Sequence, residues 1–134
     1  MTKPETRPSI LVAEDDPAIR NLLEHLLDTC GCSLVFATDG AEAIMQWRSR
    51  EFDLILMDIR MPYVDGCTAA QAIRREERSE GRKRVPVIAI TAAMDDLTSC
   101  DIDEVLMKPF TRQAICDAVI RNVSGHADSV GQLN

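Results

Sequence analysis

Four short strand-like runs in this chain each stop at a polar side chain able to do chemistry. Ser9-Ile10-Leu11-Val12-Ala13 is followed by Glu14, Asp15 and Asp16, and Leu54-Ile55-Leu56-Met57 by Asp58. The run over residues 85–90 stops at Thr91, and the run over 103–107 stops at Lys108. Asp58 taken alone reads equally well as an exposed strand end. Taken together, the four ends offer clustered carboxylates, a hydroxyl and an ammonium group. Carboxylates held close repel one another, and a hard divalent cation relieves that repulsion. Oxygen-only ligands suit magnesium, which keeps several waters and takes a phosphate oxygen as a further ligand. Lys108 and Thr91 suit the oxygens of a phosphoryl group. An aspartate can accept such a group as an aspartyl phosphate, and no Cys, Ser or His competes for the role at these ends.

That chemistry needs all four ends on one edge, and the pattern between them supplies it. Residues 54–57 form a continuous apolar run, as in a strand covered by helices on both faces. Asp16 and Pro17 are a helix N-cap and first position, and Ile19, Leu22, Leu23, Leu26, Leu27 and Cys30 then recur at helical spacing up to Gly31. Residues 33–37 read as a second strand. Asp39 with Glu42 three residues on is a capping pair for a helix through about Arg48 that buries Ala43, Ile44 and Trp47. Asp65-Gly66 opens a third helix through about Glu77, and residues 74–84, dense in both charges, read as a solvated helix end and loop. Thr111 caps a last helix through about Val123, with Ile115, Ala118, Val119 and Val123 on one face. Residues 1–8 and 124–134 are polar and read as flexible termini around a domain spanning 9–123. Five strand–helix alternations give a doubly wound five-stranded parallel sheet, and right-handed crossovers bring all strand ends to one edge.

Composition narrows the partners. A chain of 134 residues is one domain with its own core, and a net charge of -7 disfavours nucleic acid and anionic membrane as direct partners. No apolar run reaches membrane-spanning length, and residues 1–5 lack the apolar region of a secretory signal. Cys30, Cys32, Cys67, Cys100 and Cys116 are odd in number and scattered, which reads as reduced thiols in a cytoplasmic protein. No His or Cys pair lies at zinc spacing from Cys30-Gly31-Cys32.

With these pieces in order, the chain from Ser9 to about Val123 resembles the receiver domain of two-component response regulators. The resemblance rests on residues 10–17, on Leu56-Met57-Asp58-Ile59-Arg60-Met61-Pro62 with Asp65-Gly66, on Ile88-Ala89-Ile90-Thr91-Ala92, and on Met107-Lys108-Pro109-Phe110. It implies a flavodoxin-like (βα)5 fold. It also implies Asp58 as phosphoacceptor, with Asp15, Asp58 and the Arg60 carbonyl holding magnesium and Glu14 acting through water. Thr91 and Lys108 would contact the phosphoryl group, and the Lys108–Pro109 bond is expected cis. The implied donor is a phosphohistidine on a histidine kinase or a histidine phosphotransfer protein, and the readout is a change in protein contacts.

Two features depart from the family. An aromatic residue usually stands where Val105 does, and the stretch between Thr91 and Lys108 is short. Only residues 92–102 remain for that crossover, so its helix, the fourth, is expected to be shortened to two turns at most. Rival readings are a magnesium-dependent phosphatase with an aspartyl nucleophile, a flavin-binding module and an interaction-only pseudo-receiver. The phosphatase would want a carboxylate where Arg60 stands, and three acids after the first strand would repel a flavin phosphate. The intact acidic set argues against the pseudo-receiver. No output domain follows residue 123 here, so the expectation is a receiver acting through protein contacts, alone or within a hybrid kinase.

Overall fold

Whether a strand is buried on one face or two decides how its sequence reads, and here the central strands are buried on both. The computed structural model describes residues 7–92 and 97–131, those after 123 by backbone alone. Strands β1 (Ser9–Ala13), β2 (Ser33–Ala37), β3 (Leu54–Asp58), β4 (Val87–Thr91) and β5 (Glu104–Met107) form one parallel sheet in the order β2-β1-β3-β4-β5. Helices α1 (Pro17–Asp28), α2 (Gly40–Ser49), α3 (Gly66–Glu80) and α4 (Arg112–Gly131) cover it. Ile10, Val12, Leu54, Leu56, Ile88 and Ile90 cluster with Leu23 and Leu27 of α1 and with Ile115, Ala118 and Val119 of α4. The alternate residues Leu11, Ala13, Ile55, Met57 and Val87 cluster with Ala43 and Trp47 of α2 and with Ala69 and Ile73 of α3. Each buried Val, Leu, Ile or Met contributes roughly 1.5–3 kcal/mol by leaving water, so the two layers fix the strand register firmly.

The helix starts are set by side-chain caps. Asp16 accepts from Ala18 N at 2.9 Å with Pro17 in the first position, and Asp65 accepts from Thr68 N at 2.8 Å. Asp39 accepts from Glu42 N at 2.8 Å, while Glu42 Oε1 reaches back to Thr38 N at 2.7 Å, one residue earlier than a usual capping box. Thr111 Oγ1 accepts from Ala114 N at 3.0 Å. Each cap is worth about 1 kcal/mol, and together they fix where the chain turns back toward the sheet.

Several expectations are corrected. The 74–84 stretch is not simply solvated: Arg74 and Glu77 are buried at 2% and 5% exposure, and α3 continues to Glu80, where Gly81 closes it at φ 67°. Arg74 donates to Glu77, to Asp103 and to the carbonyls of Val85 and Asp101, so pairing across the chain offsets the cost of its burial. The cysteines are not five reduced thiols. Cys30–Cys116 and Cys67–Cys100 are disulfides, and only Cys32 is free. Both pairs lie far apart in sequence, so only the fold brings them together. Helix α4 runs on to Gly131, past the end expected near Val123, because extending a formed helix costs little. The shortened helix between β4 and β5 falls partly on residues 93–96, which lie outside the described residues. From there to β5 the chain holds one 3-10 turn, Thr98–Cys100.

Candidate functional site

Register places the polar strand ends. Ala13 of β1 pairs with Met57 of β3, so Glu14 comes level with Asp58. Asp58 pairs with Ile90 of β4, and Thr91 pairs with Met107 of β5, which steps Thr91 and then Lys108 one residue further along the same edge. The backbone continues the ladder past the strands. Glu14 N donates to Ala37 O at 3.0 Å, Ile59 N to Ile90 O at 3.1 Å and Lys108 N to Thr91 O at 2.7 Å.

The loop after Asp58 is held equally tightly. Gly66 N donates to Ile59 O at 2.9 Å, and a Cβ on Gly66 would lie 2.2 Å from Asp58 O. No residue but glycine fits there without moving the Asp58 backbone. Arg60 N approaches Asp58 Oδ1 at 3.3 Å, which orients the carboxylate.

The side chains then converge. Glu14, Asp58 and Thr91 are buried, at 0%, 4% and 1% exposure, while Asp15 is exposed. Glu14, Asp15 and Asp58 each present an oxygen, all within 4.8 Å of one another, an arrangement that could hold a metal ion. Lys108 Nζ stands 3.1 Å from Glu14 Oε1 and 3.5 Å from Asp58 Oδ2, one cation shared by two buried acids. The contact with Glu14 is a charge contact rather than an aligned hydrogen bond, and Oε1 is a buried oxygen with no hydrogen-bond partner. The other oxygen of Glu14 accepts from Asp16 N at 3.1 Å. Asp16 itself turns away to cap α1, as its place in the sequence implies.

Protonation follows from this crowding. Burial pushes the Glu14 carboxyl up to about 7; the charge of Asp58 adds to that rise, and the Asp16 N–H and Lys108 oppose it. Burial likewise raises Asp58, against the pull of Lys108 and the Arg60 N–H. Burial works against the Lys108 ammonium, yet Asp58 and Glu14 outweigh it and raise that pKa above the ordinary lysine range. The acids are thus short of positive charge. Three convergent carboxylates, one of them with a buried oxygen that accepts no hydrogen bond, fit a divalent cation with oxygen ligands.

The family model of the response regulator receiver domain matches residues 10–120. The chain belongs to this family. Receiver domains are signalling phosphoacceptors that work with histidine kinases, and this receiver carries the family's fold and its edge of acids. It is 33% identical over 119 residues to the sensor protein GacS of Pseudomonas syringae pv. syringae, covering 85% of this chain and 13% of that protein. It is 34% identical over 114 residues to the transcription factor SKN7 of Candida albicans, covering 81% of this chain and 20% of that protein. The receiver therefore spans a minor part of these relatives. Among solved structures it is similar to the receiver domain of a sensor histidine kinase from Pseudomonas aeruginosa PAO1, which has a magnesium ion coordinated in its active site cleft. That match has 31% identity and a TM-score of 0.81 over 89% of this chain and 99% of the other. Chemotaxis protein CheY4 of Vibrio cholerae, at 23% identity and a TM-score of 0.77 over 87% of this chain and 98% of that one, shares the fold. No helix among the described residues is long and apolar enough to cross a membrane.

The cis Lys108–Pro109 bond is present as the resemblance implies. Val105 lies 44% exposed on β5 in the place of the usual aromatic. Sequence reasoning missed the double contact of Lys108, the Arg74 hub and the Cys67–Cys100 bond. A faint signal existed for Arg74 alone, whose spacing from Ile73 and Ala70 puts it beside the apolar stripe of α3.

Proposed function

We propose that this receiver takes a phosphoryl group from a phosphohistidine, on a histidine kinase or a histidine phosphotransfer protein, onto Asp58. The observation that carries the reading is Lys108 Nζ standing between Glu14 and Asp58 at the edge of the acidic cluster. In this reading the residues holding Mg2+ are Asp15, Asp58 and the Arg60 carbonyl, with Glu14 acting through water. Bound there, the ion offsets charge on the phosphoryl oxygens. Asp58 presents a carboxylate oxygen to phosphorus as the histidine nitrogen departs, and the Arg60 N–H keeps that carboxylate in line. Lys108, already drawn toward Asp58, stabilises the added negative charge. Thr91 contacts the phosphoryl group from the end of β4, and its movement there shifts the population of receiver conformations that a downstream protein reads. Hydrolysis of the aspartyl phosphate resets the site.

The reading makes the chain a signalling phosphoacceptor rather than a phosphatase, since Arg60 stands where a phosphatase needs its acid. It assigns residues 9–123 to the receiver and gives it protein partners, not nucleic acid or membrane. An autophosphorylated histidine kinase labelled with radioactive phosphate tests it. Label should pass to the wild-type chain with magnesium present and not to Asp58→Asn. Equal transfer to that variant refutes the assignment.

A further inference from the structure

One stripe of α3 is given over to the crossover between β4 and β5. Cys67 is bonded to Cys100, with Cα atoms 5.0 Å apart. Gln71 Nε2 donates to Ser99 O at 3.0 Å, Arg74 Nε donates to Asp101 O at 2.9 Å, and Arg78 lies 3.9 Å from Asp101 Oδ2. These four residues recur at i, i+4, i+7 and i+11, so they share one helix face. Three of the ties are set by the sequence alone. The fourth, the disulfide, can be opened by thiol chemistry.

Its two residues differ in access. Cys67 is partly exposed, whereas Cys100 is 1% exposed. Cys67 is therefore the side of the bond more open to an incoming thiolate. Cys67 is also in the first turn of α3, where the helix end favours a thiolate once the bond is open. Its neighbour Gly66 sits against the Asp58 carbonyl, too close for any Cβ. The bond thus joins the backbone beside Asp58 to the Thr98–Cys100 turn ahead of β5.

We propose that Cys67 is a thiol-exchange site and that the Cys67–Cys100 bond is a reversible latch on the crossover. It closes by exchange with a low-molecular-weight disulfide. One protein thiolate attacks a reagent sulfur and expels the first reagent thiol, and the second protein thiolate then displaces the other. It opens with a dithiol. The first reagent thiolate bonds to Cys67 Sγ, and the electron pair of the broken S–S bond leaves on Cys100, which takes up a proton. The second reagent thiol then displaces Cys67, so the reagent ends as a disulfide and the protein as two thiols. Closed, the latch restrains the turn over Thr98–Cys100 that leads into β5. Open, the receiver accepts a phosphoryl group faster, a consequence that rests on the function proposed above.

The full chain carrying Cys30→Ser and Cys116→Ser isolates the latch, since that second disulfide joins the turn after α1 to α4 instead. After oxidised glutathione, peptide mass mapping should find Cys67 linked to Cys100; after dithiothreitol, alkylation should mark Cys67 before Cys100. Amides of residues 99–103 should exchange at least about tenfold faster in the reduced form, with α1 unchanged. Cys67→Ser in the same background should match the reduced form under both treatments. Initial phosphorylation by acetyl phosphate with magnesium should be about fivefold faster when reduced. Failure to form the link under oxidation overturns the proposal. Equal exchange in both forms also overturns it, because Gln71 and Arg74 then hold the crossover unaided. Equal phosphorylation rates with altered exchange overturn the coupling to Asp58. Absence of phosphorylation in both forms refutes the proposed function, while the exchange comparison still decides the latch.

Discussion

Glu14 and Asp58 are two buried carboxylates served by one ammonium group, and that imbalance governs the site residue by residue. Glu14 is pushed from 4.5 up to about 7 in the fold, so between those values the folded chain holds a proton that the unfolded chain has lost. Stability from this group is therefore full below pH 4.5 and is lost as pH rises through about 7. Glu14→Gln, which cannot ionise, should escape the loss. Without metal, its melting temperature should rise relative to wild type as pH goes from about 5 to about 8, by several degrees. Parallel melting curves across that range would show that Glu14 titrates normally. Asp15, exposed at the rim, is a different case. Asp15→Asn should leave the metal-free melting temperature unchanged or higher while weakening magnesium binding in calorimetric titration. A clear drop in the metal-free protein would make Asp15 a structural residue instead.

At the scale of elements, α3 does more than cover the sheet. Its buried Arg74 pairs with Glu77 at 3.0 Å and with Asp103 at 3.1 Å, and binds the carbonyls that flank β4 and β5. Arg84 adds exposed bridges to Asp101 and Asp103. Breaking a buried pair leaves a charge without compensation and costs roughly 3–5 kcal/mol, whereas exposed bridges are worth about 1 kcal/mol or less. Arg74→Met should therefore lower the urea midpoint strongly, and Arg84→Met should barely move it. Similar small shifts for both would show that water reaches Glu77 and Asp103 freely. Arg74 grips Asp101 and Asp103, the last residues before β5 in the crossover whose shortness stands out in the sequence.

Across the whole molecule, what was legible in the sequence was local. The apolar runs, the caps at Asp16, Asp39, Asp65 and Thr111, and the polar residue closing each strand can all be read from neighbours along the chain. Those features were enough to place the sheet, its edge and the acidic site on it. What was not legible depends on partners far away in sequence. Arg74 looks like one charge in a solvated run until Asp101 and Asp103 are folded against it. Cys67 and Cys100 look like scattered thiols until α3 meets the crossover. The shared position of Lys108 likewise follows from a one-residue stagger across three strands, which no local pattern records.

Asp58 is the residue on which the proposed phosphotransfer turns. Incubation of the full chain with acetyl phosphate and magnesium, followed by intact mass, tests it most directly. The prediction is a gain of one phosphoryl group in the wild type, and no gain either in Asp58→Asn or when a chelator removes the metal. An unmodified wild type, or equal labelling of Asp58→Asn, would contradict the account.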